Sequence, residues 1–203
     1  MGDAAAGKKE ELVLGTRYSV LGTQYSALGI PAKNILALLQ GADRRSIGRA
    51  DAVAAMVARD PKLFPRLMAG LWSGDRLVRM RAADAAEKVT RRAPALLRPF
   101  KRELLGLLAE SAEQEVRWHL AAMVPRLPLS ARECARAAAS LQLYLEDRSS
   151  IVRTFALQGL ADLAQQDSSL RAPVVDLLRQ AVRGGTPAMK ARSRKLLARL
   201  ESA

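Results

Sequence analysis

From Asp75 to Val89 the chain reads DRLVRMRAADAAEKV, in which Val78, Ala82, Ala83, Ala86 and Val89 recur three and four residues apart. That spacing places them on one face of a helix, with Arg79 beside the apolar stripe. The same arrangement returns as VRWHLAAMVPRL from Val116, as VRTFALQGLADL from Val152 and, less regularly, as MKARSRKLLARL from Met189. The basic residue marks each copy. Arg79, Arg117, Arg153 and Lys190 follow one another at intervals of 38, 36 and 37 residues (79 to 117, 117 to 153, 153 to 190). A period of this length, filled by two helices, predicts a stack of helix pairs in which each pair buries the apolar face of its neighbour.

Start and stop signals bracket the helices between these markers. Asn34 to Gln40 reads as a short helix ended by Gly41, with Asp43 or Ser46 opening the next, which runs to about Arg59. Asp60-Pro61 combines an acceptor cap with a residue that lacks the N–H a first helical turn leaves unpaired. Further helices are predicted over 62–72, 76–91, 95–109, 112–127, 131–146, 150–165, 169–183 and 187–201. Ser111 with Gln114, and Ser130 with Glu133, have the spacing of capping boxes. Gly184-Gly185 closes one helix and Thr186-Pro187 opens the last. No alternating β-branched run interrupts the pattern, so the expected class is all-α, with about ten helices in five antiparallel pairs.

The first thirty residues differ. LGTRYSV and LGTQYSA stand in tandem from Leu14, and Leu14, Tyr18, Leu21, Tyr25 and Leu28 would share a helical face. Gly15, Gly22 and Gly29 each cost such a helix about 1 kcal/mol relative to Ala. Residues 1–30 are therefore read as an N-terminal arm, flexible or loosely docked, and 31–203 as the repeat domain. The alternative for the arm is a helix that closes the end of the stack or pairs with a partner.

The second helices resemble those of HEAT repeats, armadillo-like units with a hydrophobic residue and Arg near the start of the second helix, then small and aliphatic positions. Val78-Arg79, Val116-Arg117 and Val152-Arg153 carry the resemblance, followed by Ala82-Ala83, Leu120-Ala121 and Ala156-Leu157. It implies a right-handed α-solenoid of about five HEAT-like helix pairs over roughly 34–203. In that family an Asp shortly before the Val-Arg pair often joins the Arg in an inter-repeat ladder. Asp75 fits, Glu113 is a replacement, and Asp147 lies two residues farther away. The first pair is irregular: Arg49 is its best marker, 30 residues before Arg79. Arg194 stands where the earlier repeats have Ala83, Ala121 and Leu157, which reads as a terminal cap. The marker residues are expected to tie neighbouring repeats through carboxylates or helix-end carbonyls.

Composition restricts the chemistry. Apolar residues make up 49% of the 203 positions and aromatic ones only 4%, so the apolar mass is the Ala and Leu of close-packed helices. One cysteine, Cys134, excludes an internal disulfide, and the charged N-terminus lacks the apolar core of a signal peptide. Ala6 breaks a myristoylation signal at Gly2. No run reaches the roughly 18 apolar residues of a membrane span. A cytoplasmic, non-membrane protein is expected. His119 is the sole histidine, and with one cysteine it completes no zinc pattern. The glycines lack the spacing of either nucleotide fingerprint. No catalytic residue, metal or cofactor is assigned. His119 is expected at a surface or groove edge, and Cys134 as a small structural residue.

The formal charge is +13. Residues 34–93 carry 12 basic and 6 acidic side chains, 94–146 carry 7 and 6, and 147–203 carry 10 and 5. Both ends of the repeat region are basic and its middle nearly balanced. In HEAT-like stacks the second helices line the concave side, and register then names the residues there. Two positions after each marker lie Arg81, His119, Phe155 and Arg192; five after, Asp84, Ala122, Gln158 and Lys195; nine after, Lys88, Arg126, Asp162 and Arg199. The mixed charge favours a protein or peptide partner over a long phosphate track. The candidate face is accordingly Arg81, Lys88, His119, Arg126, Phe155, Gln158, Arg192, Lys195 and Arg199, on a non-catalytic scaffold. The alternative is a nucleic-acid backbone binder, and behind it a DNA glycosylase of the alkylation-repair kind, for which Trp72 and Trp118 are the only tryptophans.

Overall fold

The computed structural model describes residues 35–41 and 48–202, and every described element is helical. Nine α-helices occur among them: α1 Ala50–Arg59, α2 Phe64–Ala69, α3 Arg76–Thr90, α4 Lys101–Glu110, α5 Gln114–Met123, α6 Ala131–Leu143, α7 Ser150–Gln166, α8 Arg171–Gly184 and α9 Pro187–Glu201. The tandem from Leu14 to Gly29, together with Asp43 and Ser46, lies outside the described residues. Two compact units divide the chain, Met1–Ala86 and Glu87–Ala203.

In the first unit, Asp60 caps the turn Pro61–Leu63 through the Lys62 N–H, as its side-chain chemistry predicts. The helix expected over Asn34 to Gln40 is, in its described part, a single 3-10 turn, Ala37–Leu39. Gly41 follows at φ 134° and Gly48 at φ 55°, backbone that a Cβ disfavours. Both abut the guanidinium of Arg81, which donates to the Leu39 carbonyl at 2.8 Å. At Gly48 a Cβ would stand 2.8 Å from the Arg81 Cζ.

In the second unit, the helices with the Val-Arg pattern lie side by side: α5 packs on α7, and α7 on α9. Helix α7 also contacts α6 and α8, so it is the centre of this unit. Leu157, Leu160 and Leu163 are buried along it, as are Val116 and Leu120 on α5 and Leu196 and Leu200 on α9. Gly159 permits the closest approach. A Cβ there would sit 2.6 Å from the Ala121 carbonyl oxygen on α5. The pairs are also linked by hydroxyls, with Ser150 Oγ 2.7 Å from Thr186 Oγ1.

Several helices depart from α geometry at one end. Pro94–Phe100 is a 3-10 helix leading into α4, with Pro99 inside it unable to donate a backbone hydrogen bond. Val124–Arg126 and Tyr144–Glu146 tighten the ends of α5 and α6. The Ser130–Glu133 capping box forms, and Thr186 caps α9 through the Met189 N–H. The expected Ser111–Gln114 box does not. Helix α5 starts at Gln114 with Glu113 at its cap, and Ser111 instead ends α4, where its carbonyl accepts from Arg117. The cap residue Glu113 makes no side-chain cap hydrogen bond, so this helix start is left without the capping box that the spacing predicted.

Candidate interaction face

Two of the marker residues, Arg79 and Arg117, act at helix ends. Arg79 donates to the Ser73 carbonyl at 2.5 Å, and Arg117 to the Ser111 carbonyl at 2.7 Å, so each arginine closes the end of the helical segment preceding its own helix. Arg117 also reaches forward to Asp147, with Nη1 2.6 Å from Oδ2. Asp147, the acid two residues out of place, thus receives the preceding repeat's arginine while accepting the Ser149 N–H at 2.8 Å. Burial pushes its carboxyl up, yet the Ser149 and Arg117 hydrogen bonds and the charges of Arg117 and Arg153 carry it below the usual carboxylate range. Arg117 lies over the Tyr144 ring at 5.1 Å, and the Tyr144 hydroxyl donates to the Leu108 carbonyl at 2.7 Å. Arg153 and Lys190 are half-buried on their helices.

The candidate face divides by burial. Arg81 and His119 are each 2% exposed. The His119 ring nitrogen Nδ1 pairs with the Glu115 carbonyl on its own helix, one turn back, at 2.5 Å. This corrects the expectation of a surface or groove-edge histidine. Trp118 stacks on its ring at 3.3 Å between centroids. Phe155, Gln158, Arg192 and Arg199 are half-buried, and Lys195 is exposed.

Across α5, α7 and α9 these side chains are connected. Trp118 meets Phe155 at 5.0 Å between ring centroids, and the Arg192 guanidinium lies 5.8 Å from the Phe155 ring. Arg192 donates to Gln158 Oε1 at 2.7 Å; Gln158 Nε2 donates to both Asp162 oxygens at 2.9 and 3.0 Å; Arg199 bonds Asp162 at 2.7 Å. Partly exposed pairs of this kind contribute about 0–1 kcal/mol each, so their main effect is to fix side-chain positions. Lys195 carries no ion pair among the described residues. Residue spacing had listed the charges of these rows without showing that Asp162 accepts from two sides, and had missed Trp118 as a member.

Glu87 is the other element that spacing missed. Its buried carboxylate takes Arg91, just past the end of α3, at 2.5 Å, and Arg126 from the turn after α5. Arg126 also donates to the Glu87 carbonyl and the Thr90 hydroxyl, each at 3.0 Å. Only the Glu87–Arg91 spacing of four was visible in the sequence. Burial raises the Glu87 carboxyl, but the Arg91 and Arg126 bonds bring it to a net value below the usual 4.5. A depressed folded value contributes stability above the unfolded value, and this is lost as pH falls through the folded one. Glu87→Gln is therefore expected to lower the melting temperature at pH 7 and to flatten its decline below about pH 4.5. Melting curves from pH 7 to 3 measure this; parallel profiles would dismiss the assignment.

Cys134 is 1% exposed near the start of α6, and burial, then the charges of Asp167 and Glu133, push its thiol up. These effects oppose activation by the helix terminus. Glu133 moves the other way, to about 2, held by the Lys101 ammonium at 2.8 Å and the Ser130 N–H at 2.8 Å. Among the described residues no group of three or more His, Cys, Asp or Glu side chains could hold a metal ion, and no helix is long and apolar enough to cross a membrane. Neither a protein-family model nor a curated protein sequence matches the chain.

Proposed function

We propose that this protein is a non-catalytic, cytoplasmic scaffold of HEAT-like repeats, a right-handed α-solenoid that holds a protein or peptide partner on the face shared by α5, α7 and α9. The observation that carries this reading is the continuous strip Trp118–Phe155–Arg192, braced from behind by Gln158 and Asp162, with Lys195 exposed on the same helix as Arg192. Half-exposed aromatic and guanidinium groups held in fixed positions lose little conformational freedom when covered, which is what a binding face requires. The one acid of the strip, Asp162, is paired with Arg199, while Arg192 bonds only the neutral amide of Gln158, so the charge left for a partner is positive. An acidic segment with an apolar anchor fits that combination.

Capture of partners from a native extract at about 0.15 M salt, with and without nuclease, tests this reading. The expected result is a partner that survives nuclease and is lost with the double substitution Phe155→Ala, Lys195→Glu, while the melting temperature shows the variant folded. The exposed Arg194 and Lys195 on α9 support the second reading, a binder of nucleic-acid backbone. Partners that disappear with nuclease, together with duplex affinity that persists at that salt, would establish it in place of the first.

A further inference from the structure

The Glu87–Ala203 unit has a second feature, in which Arg126 of the candidate face takes part. Where α3 gives way to the Pro94–Phe100 helix, Arg92, Pro94 and Arg98 form one wall of a cleft of ≈ 470 Å³, and Arg126 and Pro128 lie on another, with Gln166 completing it. The size is within the range of small-ligand sites. No acidic residue lines it.

The walls are held in place from within. Gln166, the last residue of α7, accepts the Leu129 N–H at 3.3 Å and donates to the Pro125 carbonyl at 2.5 Å, so one amide spans the Pro125–Leu129 segment. Arg126 is fixed by Glu87 and by Thr90, which places a guanidinium in the cleft whose charge is already offset. Pro94 and Pro128 restrict the backbone on both sides. By contrast, the guanidinium groups of Arg92 and Arg98 are exposed and have neither an ion pair nor a hydrogen bond among the described residues. The cleft therefore carries two uncompensated positive charges on planar, multi-donor groups, in a concavity with no competing carboxylate.

We propose that this cleft binds a phosphate monoester, whose dianion is held by Arg92 and Arg98 against the Arg126 side. A monoester near neutral pH supplies close to two negative charges and three acceptor oxygens, matching the two free guanidiniums in charge and in their fork-like donor geometry. A phosphodiester offers one charge and a bulkier second substituent, and a carboxylate offers one charge and two oxygens. The monoester can come from a phosphorylated protein side chain or from a free nucleotide.

Calorimetric titration of the full chain at about 0.15 M salt, with N-acetyl-O-phosphoserine methylamide in one arm and adenosine 5′-monophosphate in the other, tests the assignment. Saturable binding of at least one probe is expected, weakened tenfold or more by Arg92→Glu with Arg98→Glu. The control removes the same charge elsewhere: Arg132→Glu with Arg136→Glu, two exposed positions on α6 outside the cleft, should change affinity less than twofold. Tighter binding of the phosphoserine probe identifies a protein-borne phosphate, and tighter binding of the nucleotide a free one. The proposal is overturned by no saturable binding of either probe up to about 10 mM, or by equal losses in both double variants, which would mean general attraction to a basic protein. It is also overturned if only a nucleic-acid duplex binds. All variants are exposed substitutions, and their melting temperatures are compared with the parent before titration.

Discussion

Replacing Leu157 with Ala is expected to destabilise the protein by about 2–5 kcal/mol. Leu157 is 1% exposed on α7, the helix that contacts α5, α6, α8 and α9, so truncation opens a cavity where several helices meet and the backbone has little freedom to close it. The loss combines the transfer free energy of the deleted carbons with missing contacts around the void. Urea titration should show a lower midpoint with an unchanged slope, because the surface exposed on unfolding stays nearly the same. A change below about 0.5 kcal/mol would be the effect of a surface residue and would break the register that aligns Leu157 with Ala83 and Ala121.

Gly159→Ala is expected to destabilise as well, against the intrinsic preference of a helix. In an unconstrained helix this exchange gains about 1 kcal/mol. At Gly159 the new Cβ would stand 2.6 Å from the Ala121 carbonyl oxygen and 2.9 Å from Leu141 Cδ1, with Pro125 Cγ at 3.3 Å. The leucine can rotate, but the carbonyl belongs to the α5 backbone, so α5 and α7 must separate. Overpacking of this kind costs typically 1–3 kcal/mol, enough to reverse the helix gain. Gly106→Ala on α4 supplies the comparison: nothing lies within 4 Å of its Cβ position, and it should stabilise by up to about 1 kcal/mol. If both substitutions raised the unfolding midpoint, the close approach at Gly159 would be refuted.

The two glycines have the same residue name and similar helical surroundings, and nothing local separates them. What separates them is another helix, α5, whose Ala121 lies 38 positions before Gly159 in the chain. The same contrast runs through the arginines. Arg117 and Arg79 occupy equivalent positions and both close a preceding helical segment, which the repeat made visible. That Arg117 also reaches Asp147 depends on how the α6–α7 connection brings that acid back, and a count of residues before the Val-Arg pair placed it two positions out of reach. Glu87 stands four residues before Arg91, a local spacing, whereas its acceptance of Arg126 comes from 39 residues away.

By itself the sequence determined that the segments are helical, from the three- and four-residue spacing of Val, Ala and Leu, and several of their starts, from Asp60-Pro61, Ser130 with Glu133, and Thr186-Pro187, but not where α geometry tightens to 3-10 at Pro94–Phe100, Val124–Arg126 and Tyr144–Glu146. These are short-range effects, because helix periodicity and capping involve atoms within about four residues of one another. The tertiary structure alone decided which polar groups met. It buried His119 beneath Trp118, set the Ser111 carbonyl against Arg117, joined Arg192 and Arg199 through Gln158 and Asp162, and left Arg92 and Arg98 facing a cleft without an acid. Long side chains choose among partners by distances that only packed helices fix, and the residue types at those positions are compatible with several outcomes.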